Sequence, residues 1–217
     1  GGGLAGLAAA RAAAGTGARV IVCDENPRWG GGACDDATAV DDRGAMQWIA
    51  ESAAHLAANA DVTLLSRTTA FGYYDGNLVG ALERVTDHLA SPSPYLPRQR
   101  LWMIRAKAVV LASGAHERSI AYANNDLPGT MLASAAHLYV RRYGVKPGTR
   151  AIVFTNNDGA YADALALHAG GVAIAAIVDV RPQAQLAQGL PARAREAGLP
   201  VIAGAVVAGA RGGQHVN

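Results

Sequence analysis

The stretch GGGLAGLAAARAAAGTGARVIVCDE (residues 1–25) contains the pattern that decides the fold. It holds three glycines in the G-x-G-x-x-G spacing, Gly1, Gly3 and Gly6. The first glycine of such a loop permits a tight turn, the second lets a pyrophosphate approach the backbone, and the third lets a helix pack closely on a strand. Small residues at 4–14 then predict a helix, and 18–25 reads as a buried parallel strand. We therefore expect a nucleotide-binding unit whose first strand precedes Gly1 in the complete protein.

An acidic pair ends the predicted strand and supports this interpretation. Asp24 lies eighteen residues after Gly6 and is followed by Glu25. An acid at this place accepts hydrogen bonds from the adenosine ribose and disfavours a 2′-phosphate. The free N–H groups of the helix start would bind the phosphates. The alternative is a glycine-rich loop with a solvated acid, because chains rich in alanine and glycine produce the spacing by chance.

Composition narrows the functional class. The chain has 217 residues, of which 51% are hydrophobic, so it can form a sizeable core. Its net charge of +2 is spread along the sequence without a basic stripe, which argues against nucleic acid as a partner. No apolar run reaches the ~18 residues of a membrane span. The two cysteines form no CxxC pair, so we expect a cytoplasmic protein without a metal site.

Strand and helix patterns alternate along the chain, which predicts an α/β fold with a Rossmann-like parallel sheet. A segment near 62–105 is rich in β-branched and aromatic residues and contains Asp75-Gly76, so we expect a β-meander insertion there. A strand–helix–strand pattern starts again at 149. The predicted domains are a dinucleotide-binding domain over 1–120, lacking its first strand, and an incomplete, degenerate Rossmann-like domain over 121–217.

Two further motifs bear on nucleotide binding. The predicted strand in AVVLASGAHER (108–118) ends in Ala-Ser-Gly and resembles the A-T-G motif of two-dinucleotide flavoproteins, whose fold is glutathione-reductase-like. Ser113 and Gly114 would then touch the nucleotide through their backbone, although an ordinary strand-ending turn is the alternative. The second unit has FTNNDGAY (154–161) in place of a glycine loop, so we expect Asp158 to cap the next helix and to repel a pyrophosphate. We expect all six histidines to be surface or capping residues, and no catalytic set is recognisable.

Four segments carry a more specific resemblance. They are TTAFGYYDGNLVGALERVTDHL (68–89), PRQRLW (97–102), GAHERSIAYANNDLPGTM (114–131) and RRYGVKPGTRAIVFTNNDGAYADAL (141–165). Together they resemble the α subunit of heterotetrameric sarcosine oxidases, and the likeness runs through most of the chain. Weaker similarity extends to the large subunits of opine oxidases and of hydrogen cyanide synthase.

The resemblance implies a function that spacing does not show. This family oxidises sarcosine to glycine, with formaldehyde or methylene-tetrahydrofolate and hydrogen peroxide as further products. It implies FAD in the β subunit, FMN at the α/β interface, and NAD in the dinucleotide site of the α subunit, with γ and δ subunits as additional partners. Folate would bind a C-terminal domain that is not in this chain. The fragment alone would be inactive, and its catalytic residues stay unknown.

The resemblance also assigns site residues. Gly1, Gly3 and Gly6 match the phosphate loop, and Asp24, with Glu25 beside it, matches the ribose-binding acid. The segments expected around the adenosine and adenine contain Arg28, Gly30, Gly31, Thr69 and Ala70. Gly2 stands where alanine is usual, a change that we expect to be harmless to the turn. Alternatives are an FAD-binding subunit of an opine or proline dehydrogenase or of a hydrogen cyanide synthase type oxidoreductase, and a non-catalytic scaffold.

Overall fold

A computed structural model describes residues 1–34 and 39–216 of the chain. The chain divides into two compact units, Gly1–Ala115 and His116–Asn217, whereas the sequence placed the division at 120. Both units contain parallel strands alternating with helices, so the predicted α/β class is confirmed.

The first unit begins with the predicted helix and strand. Its elements are helix α1 (Leu4–Ala14), strand β1 (Val20–Cys23), a 3-10 helix (Gly31–Cys34), the short strands β2 (Ala39–Val40) and β3 (Arg43–Gly44), helix α2 (Ala45–Ala57), and strands β4 (Val62–Leu65), β5 (Thr68–Tyr74), β6 (Leu78–Arg84) and β7 (Gln99–Arg105). Strands β1 and β4 pair in parallel, from Val20 opposite Val62 to Cys23 opposite Leu65. The chain therefore passes from the glycine loop through a helix to a parallel strand, as predicted, but within this strand Val22 is buried whereas Ile21 is exposed.

The core of this unit forms where the helices pack against β1. Leu7 of α1 and Leu56 of α2 are both fully buried, and Trp48 and Val22 join them. Burying a leucine side chain such as that of Leu7 or Leu56 stabilises a fold by about 1.5–3 kcal/mol. Small residues dominate α1, so the helix can lie close to the glycine loop.

The antiparallel insertion starts later than predicted. Strand β4 belongs to the parallel sheet, and the three-stranded antiparallel sheet β5–β6–β7 begins at Thr68 rather than near 62. Arg67 separates the two sheets and has a left-handed φ of 53°. Residue composition could not locate this boundary, because β-branched residues favour parallel and antiparallel strands alike. The turn at Asp75-Gly76 joins β5 to β6, with Gly76 at φ 68°.

The segment after β7 differs from its predicted strand. Residues 108–114 pair with none of the described strands, and Val110 and Leu111 are exposed. An extended segment counts as a strand only when a neighbouring backbone completes the hydrogen-bond ladder.

The second unit contains a complete strand–helix–strand arrangement. Its elements are α3 (Ala133–Tyr143), β8 (Arg150–Thr155), α4 (Gly159–Ala169), β9 (Ala173–Asp179), a 3-10 helix (Gln183–Leu186), α5 (Gly189–Glu196) and β10 (Val201–Ala203). The three strands are parallel in the order β10–β9–β8. Tyr161 and Ile177 are fully buried at the centre of its core. None of the helices in the described part of the chain is suited to crossing a bilayer.

Candidate functional site

The glycine loop is packed too tightly for side chains at two of its three positions. A Cβ at Gly6 would lie 1.8 Å from the carbonyl oxygen of Gly1, and a Cβ at Gly1 would lie 2.0 Å from the carbonyl oxygen of Ala112. The same Gly1 Cβ would come within 3.2 Å of the Ser113 Cα. The structure therefore brings the Ala-Ser-Gly segment beside the glycine loop, where the sequence expected it, although no strand ladder holds it there.

The middle glycine of the pattern is different because it faces open space. A Cβ at Gly3 would meet no nearer heavy atom than the Gly30 carbonyl oxygen, 3.9 Å away. Gly3 is the N-cap of α1, and no side chain caps this end of the helix. The first N–H groups of a helix have no acceptor within it, so they are available to an anion.

The carboxylate of Asp24 points at the glycine loop. Its Oδ2 accepts a hydrogen bond from the Gly2 backbone N–H at 2.6 Å. Its Oδ1 accepts two more, from the Asn26 backbone N–H at 2.8 Å and from the Asn26 side-chain amide at 3.1 Å. The residue is only 9% exposed. A carboxylate has about four acceptor positions, so Oδ2 keeps one for a further donor.

The chain after β1 folds back over the glycine loop. The Gly30 N–H donates to the Gly2 carbonyl at 2.7 Å, and Gly30 bridges to Gly3 in parallel fashion. Gly30 and Gly31 have φ values of 113° and 55°, a region that favours glycine. The two predicted glycines therefore shape the loop that lies against Gly2 and Gly3.

Trp29 packs on the core of the first unit and also lies against the glycine loop, a contact that was not predicted. A Cβ at Gly2 would lie 2.3 Å from the Trp29 ring, so the indole occupies the space that an alanine at position 2 would need. The position of the Trp29 ring therefore leaves room for no side chain at position 2. A glycine replacing the usual alanine next to the loop was the one signal that could have indicated this contact.

The remaining predicted residues are exposed to solvent. They are Glu25, Arg28, Thr69, Ala70, Ser113 and Gly114. The Glu25 carbonyl accepts a hydrogen bond from the Arg84 guanidinium at 2.8 Å, so the structure fixes its backbone. Thr68, which precedes the predicted pair on β5, donates its N–H to the Asp24 carbonyl at 2.7 Å. The structure thus gathers the glycines and Asp24 closely, while Thr69 and Ala70 lie one and two residues beyond this contact.

A basic cleft of about 350 Å³ adjoins the turn after Asp24 and was not predicted. It is lined by Pro27, Arg67, Arg84, Asp87 and His88. The Asp87 carboxylate binds Arg98 and Gln99, both at 2.7 Å. The hydrogen bond from Arg98 lowers the pKa of Asp87 below its usual value. The Asp87 carboxylate is therefore ionised, and its charge is balanced by the Arg98 guanidinium.

The turn between β8 and α4 contradicts the predicted capping role of Asp158. The Asp158 side chain makes no capping hydrogen bond and instead pairs with Arg181 at 2.8 Å. The Gly159 N–H donates to the Asn157 side-chain oxygen at 2.9 Å, so Asn157 satisfies the helix start. A guanidinium within reach attracts the carboxylate more strongly than a neutral backbone N–H does.

The expectation for the histidines is wrong at His137. This side chain on α3 is buried and its Nδ1 lies 2.8 Å from an Asp163 oxygen. Its Nε2 is buried without a hydrogen-bond partner. Within the described ranges, no cluster of three or more His, Cys, Asp or Glu side chains could hold a metal ion.

The curated proteins similar to this chain include α subunits of sarcosine oxidase and a subunit of opine oxidase. No protein-family model matches it. The α subunit of sarcosine oxidase from Rhizobium meliloti (strain 1021) is 42% identical over 217 residues, which are 100% of this chain and 21% of that protein. Its counterpart from Corynebacterium sp. (strain P-1) is 46% identical over 209 residues, 95% of this chain and 21% of that protein. One of the opine oxidase subunits of Agrobacterium tumefaciens (strain Ach5) is 34% identical over 153 residues, 68% of this chain and 29% of that protein.

Solved structures show the fold. L-proline dehydrogenase from P. horikoshii aligns with a TM-score of 0.63 and 24% identity, over 80% of this chain and 33% of that one. The water-forming NADH oxidase from Lactobacillus brevis, bound to NADH, aligns with a TM-score of 0.60 and 15% identity, over 98% of this chain and 47% of that one. The predicted Rossmann-like fold is thereby confirmed. The chain spans about one fifth of the length of the sarcosine oxidase subunits that it matches.

Proposed function

We propose a function for this chain from the premise that it is a homologue, over its whole length, of part of the sarcosine oxidase α subunits. Residues 1–115 bind the adenosine diphosphate portion of NAD within a hetero-oligomeric oxidase that oxidatively demethylates sarcosine. The observation that carries the proposal is the Asp24 carboxylate, which is hydrogen-bonded to the glycine loop beside the open space at Gly3.

The described residues fit a dinucleotide. The pyrophosphate would lie over Gly3 against the N-terminus of α1, where the N–H groups and the helix dipole attract negative charge. The ribose would donate a hydroxyl to the remaining acceptor position of Asp24 Oδ2. No side chain fits at Gly1 or Gly6, so α1 lies directly against the glycine loop. This close packing would fix the distance between the pyrophosphate over Gly3 and the ribose at Asp24. Glu25, Arg28, Thr69, Ala70, Ser113 and Gly114 would border the adenosine from the rim.

The chemistry itself is assigned to other parts of the complex. In the proposed assembly, FAD of a β subunit oxidises sarcosine and FMN at the α/β interface passes the electrons to oxygen. Folate would bind a further domain of the α subunit, and γ and δ subunits would complete the complex. This chain's own contribution is to hold a nucleotide on a rigid loop. We expect the complex to be cytoplasmic.

A second candidate rests on the other similarities. Asp24 and the glycine loop would recognise the half that NAD and FAD share, so the same geometry accommodates FAD. The similarity to an opine oxidase and to a proline dehydrogenase structure favours an FAD-binding subunit of such an enzyme. A scaffold that needs no nucleotide is the third possibility, because the chemistry lies outside this chain in every version.

One experiment separates the three. The full-length chain is expressed with its partner subunits, the complex is denatured, and the released small molecules are identified by mass spectrometry while sarcosine-dependent peroxide is measured. Released NAD with peroxide formation is expected. A flavin spectrum from the isolated α chain would replace the first proposal by the second, and absence of nucleotide with full activity would leave the scaffold.

A further inference from the structure

The second unit has the strand–helix–strand arrangement of a nucleotide-binding unit, although a glycine loop is replaced by Asn156, Asn157 and Asp158. Strand β8 ends at Thr155, a short turn leads into α4, and β9 ends at the acidic residue Asp179. In a Rossmann unit, the phosphates bind at the start of the helix and the ribose binds at the acid that ends the second strand. Asp158 and Asp179 thus mark the two ends of the crevice, as Gly3 and Asp24 do in the first unit.

One side chain joins these two ends. The Arg181 guanidinium donates to the Asp179 carboxylate through its Nη2 at 2.8 Å and its Nε at 3.1 Å. Its Nη1 lies 2.8 Å from an Asp158 oxygen. A single arginine therefore spans from the strand-end acid to the helix start, along the path that a dinucleotide takes from ribose to phosphate.

The strand-end acid has no acceptor left for a ribose. Asp179 is completely buried, and besides Arg181 it accepts a hydrogen bond from the Tyr161 hydroxyl at 2.9 Å. The Arg181 backbone N–H also donates to it at 2.9 Å. These five donor contacts, two of them from the Arg181 Nε, surround both carboxylate oxygens.

The helix start is occupied in the same way. The Gly159 N–H donates to Asn157, and the Asn157 N–H donates to the Thr155 hydroxyl at 3.1 Å. The Thr155 hydroxyl in turn donates to the Asn157 carbonyl at 3.0 Å, so the turn is closed by its own hydrogen bonds. The Asp158 carboxylate adds a negative charge where a pyrophosphate would bring two more.

We infer that Arg181 is the specificity-determining residue of this unit: it closes the second crevice to dinucleotides, so that the chain binds one nucleotide rather than two. Arg181 supplies from within the chain the hydrogen-bond donors that a ribose would otherwise bring to the strand-end acid. The unit keeps its sheet because the buried acid is matched internally. Removing one partner of a buried charged pair is strongly destabilising, so the closed arrangement is also the stable one.

Hydrogen–deuterium exchange of the full-length chain in its assembly tests this inference with NADH and NADPH as probes. Saturating NADH or NADPH is expected to leave exchange at 155–160 and 179–182 unchanged. Slower exchange there, saturating with nucleotide concentration, would overturn the inference. Exchange at 1–6 and 24–30 reports on the first unit separately, so failure of the proposed nucleotide site is distinguishable from failure of this one.

Two variants test the role of Arg181 itself. Arg181→Ala is expected to speed exchange at 155–160 by roughly tenfold or more. Without Arg181, local opening of this turn does not have to break the ion pairs to Asp158 and Asp179, so it costs less free energy. Arg181→Lys keeps a positive charge for one acid and should lie between Arg181→Ala and the wild type. Arg150→Ala, at an exposed arginine on β8, is the matched control and should leave the exchange unchanged. Equal exchange in Arg181→Ala and Arg150→Ala would show that Arg181 does not close the crevice.

Discussion

Replacing Gly3 by alanine separates nucleotide binding from folding more cleanly than any other change in the glycine loop. The added Cβ would find no heavy atom of the protein closer than 3.9 Å, and Gly3 has φ −72° and ψ −176°, an extended conformation that alanine adopts freely. An alanine at an N-cap is less favourable than glycine by about 0.5 kcal/mol, whereas the reduced entropy of the unfolded chain favours alanine by about 0.4–1 kcal/mol. The two terms nearly cancel, so the unfolding free energy should hardly change.

The same methyl group would occupy the place proposed for the pyrophosphate. Forcing an extra methyl into a packed contact costs about 1–3 kcal/mol, which corresponds to roughly 5- to 150-fold weaker nucleotide binding. The assay is mass spectrometry of nucleotide released per α chain from the purified complex, combined with thermal unfolding. We expect a Gly3→Ala complex that unfolds at nearly the wild-type temperature but carries less nucleotide.

Two matched variants complete the test. Gly6→Ala would place a Cβ 1.8 Å from the Gly1 carbonyl oxygen, so the loop would have to move by roughly 1.5 Å to reach ordinary contact, and stability should fall as well as occupancy. Gly44→Ala adds a methyl group with no heavy atom within 4 Å, and it should change neither quantity. Full nucleotide occupancy in Gly3→Ala would refute the placement of a pyrophosphate over this glycine.

Three further predictions concern side chains around the two strand-end acids. Asp24→Asn removes the charge beside the ribose and should weaken nucleotide retention by about 5- to 30-fold, equivalent to about 1–2 kcal/mol; unchanged occupancy in the released-nucleotide assay would contradict this. Gly2→Ala should displace the Trp29 indole and alter its fluorescence, and Trp29→Ala in the same chain should restore part of the lost stability; equal destabilisation with and without Trp29 would argue against the contact. Burial alone would raise the pKa of Asp179, but hydrogen bonds from Arg181 and Tyr161 outweigh it and lower the pKa below its ordinary value, about 3.9. Because the folded pKa is the lower one, this stabilisation is present above about pH 4 and is lost as the pH falls through the folded value. Acid titration of the unfolding free energy should therefore be less steep in Asp179→Asn, and equal slopes would contradict the prediction.

The elements that the sequence predicted well are those specified by neighbouring residues. The run of small residues at 4–14 coincides with α1, and the Asp-Gly pair at 75–76 lies at the turn joining two strands. Helix periodicity and turn chemistry are local, so one segment contains all the information they need. The glycine spacing likewise indicated contacts at Gly1 and Gly6 that only the absence of a Cβ permits.

What the sequence could not reveal depends on residues distant along the chain. Asp158 stands at a helix start, where a cap is the local expectation, but Arg181, twenty-three positions later, takes its carboxylate. Strand β4 looked like the start of the antiparallel insertion, yet its partner is β1, some forty residues earlier. In both cases a long-range partner decides between alternatives that are locally equivalent.

The two strand-end acids differ in the donors around them, and the proposed difference between the two units rests on this contrast. Asp24 directly follows β1 and Asp179 is the last residue of β9, and both are buried. The described donors to Asp24 are the neutral N–H groups of Gly2 and Asn26, which leave one acceptor position on the carboxylate. Asp179 is paired with the Arg181 guanidinium, which also contacts the Asp158 carboxylate. A buried carboxylate without a cation gains more from a donor arriving with a ligand than one that is already neutralised. Under the proposed assignment, the placement of Arg181 would be enough to make two similar strand–helix–strand units differ, one as a nucleotide site and the other as a closed structural module.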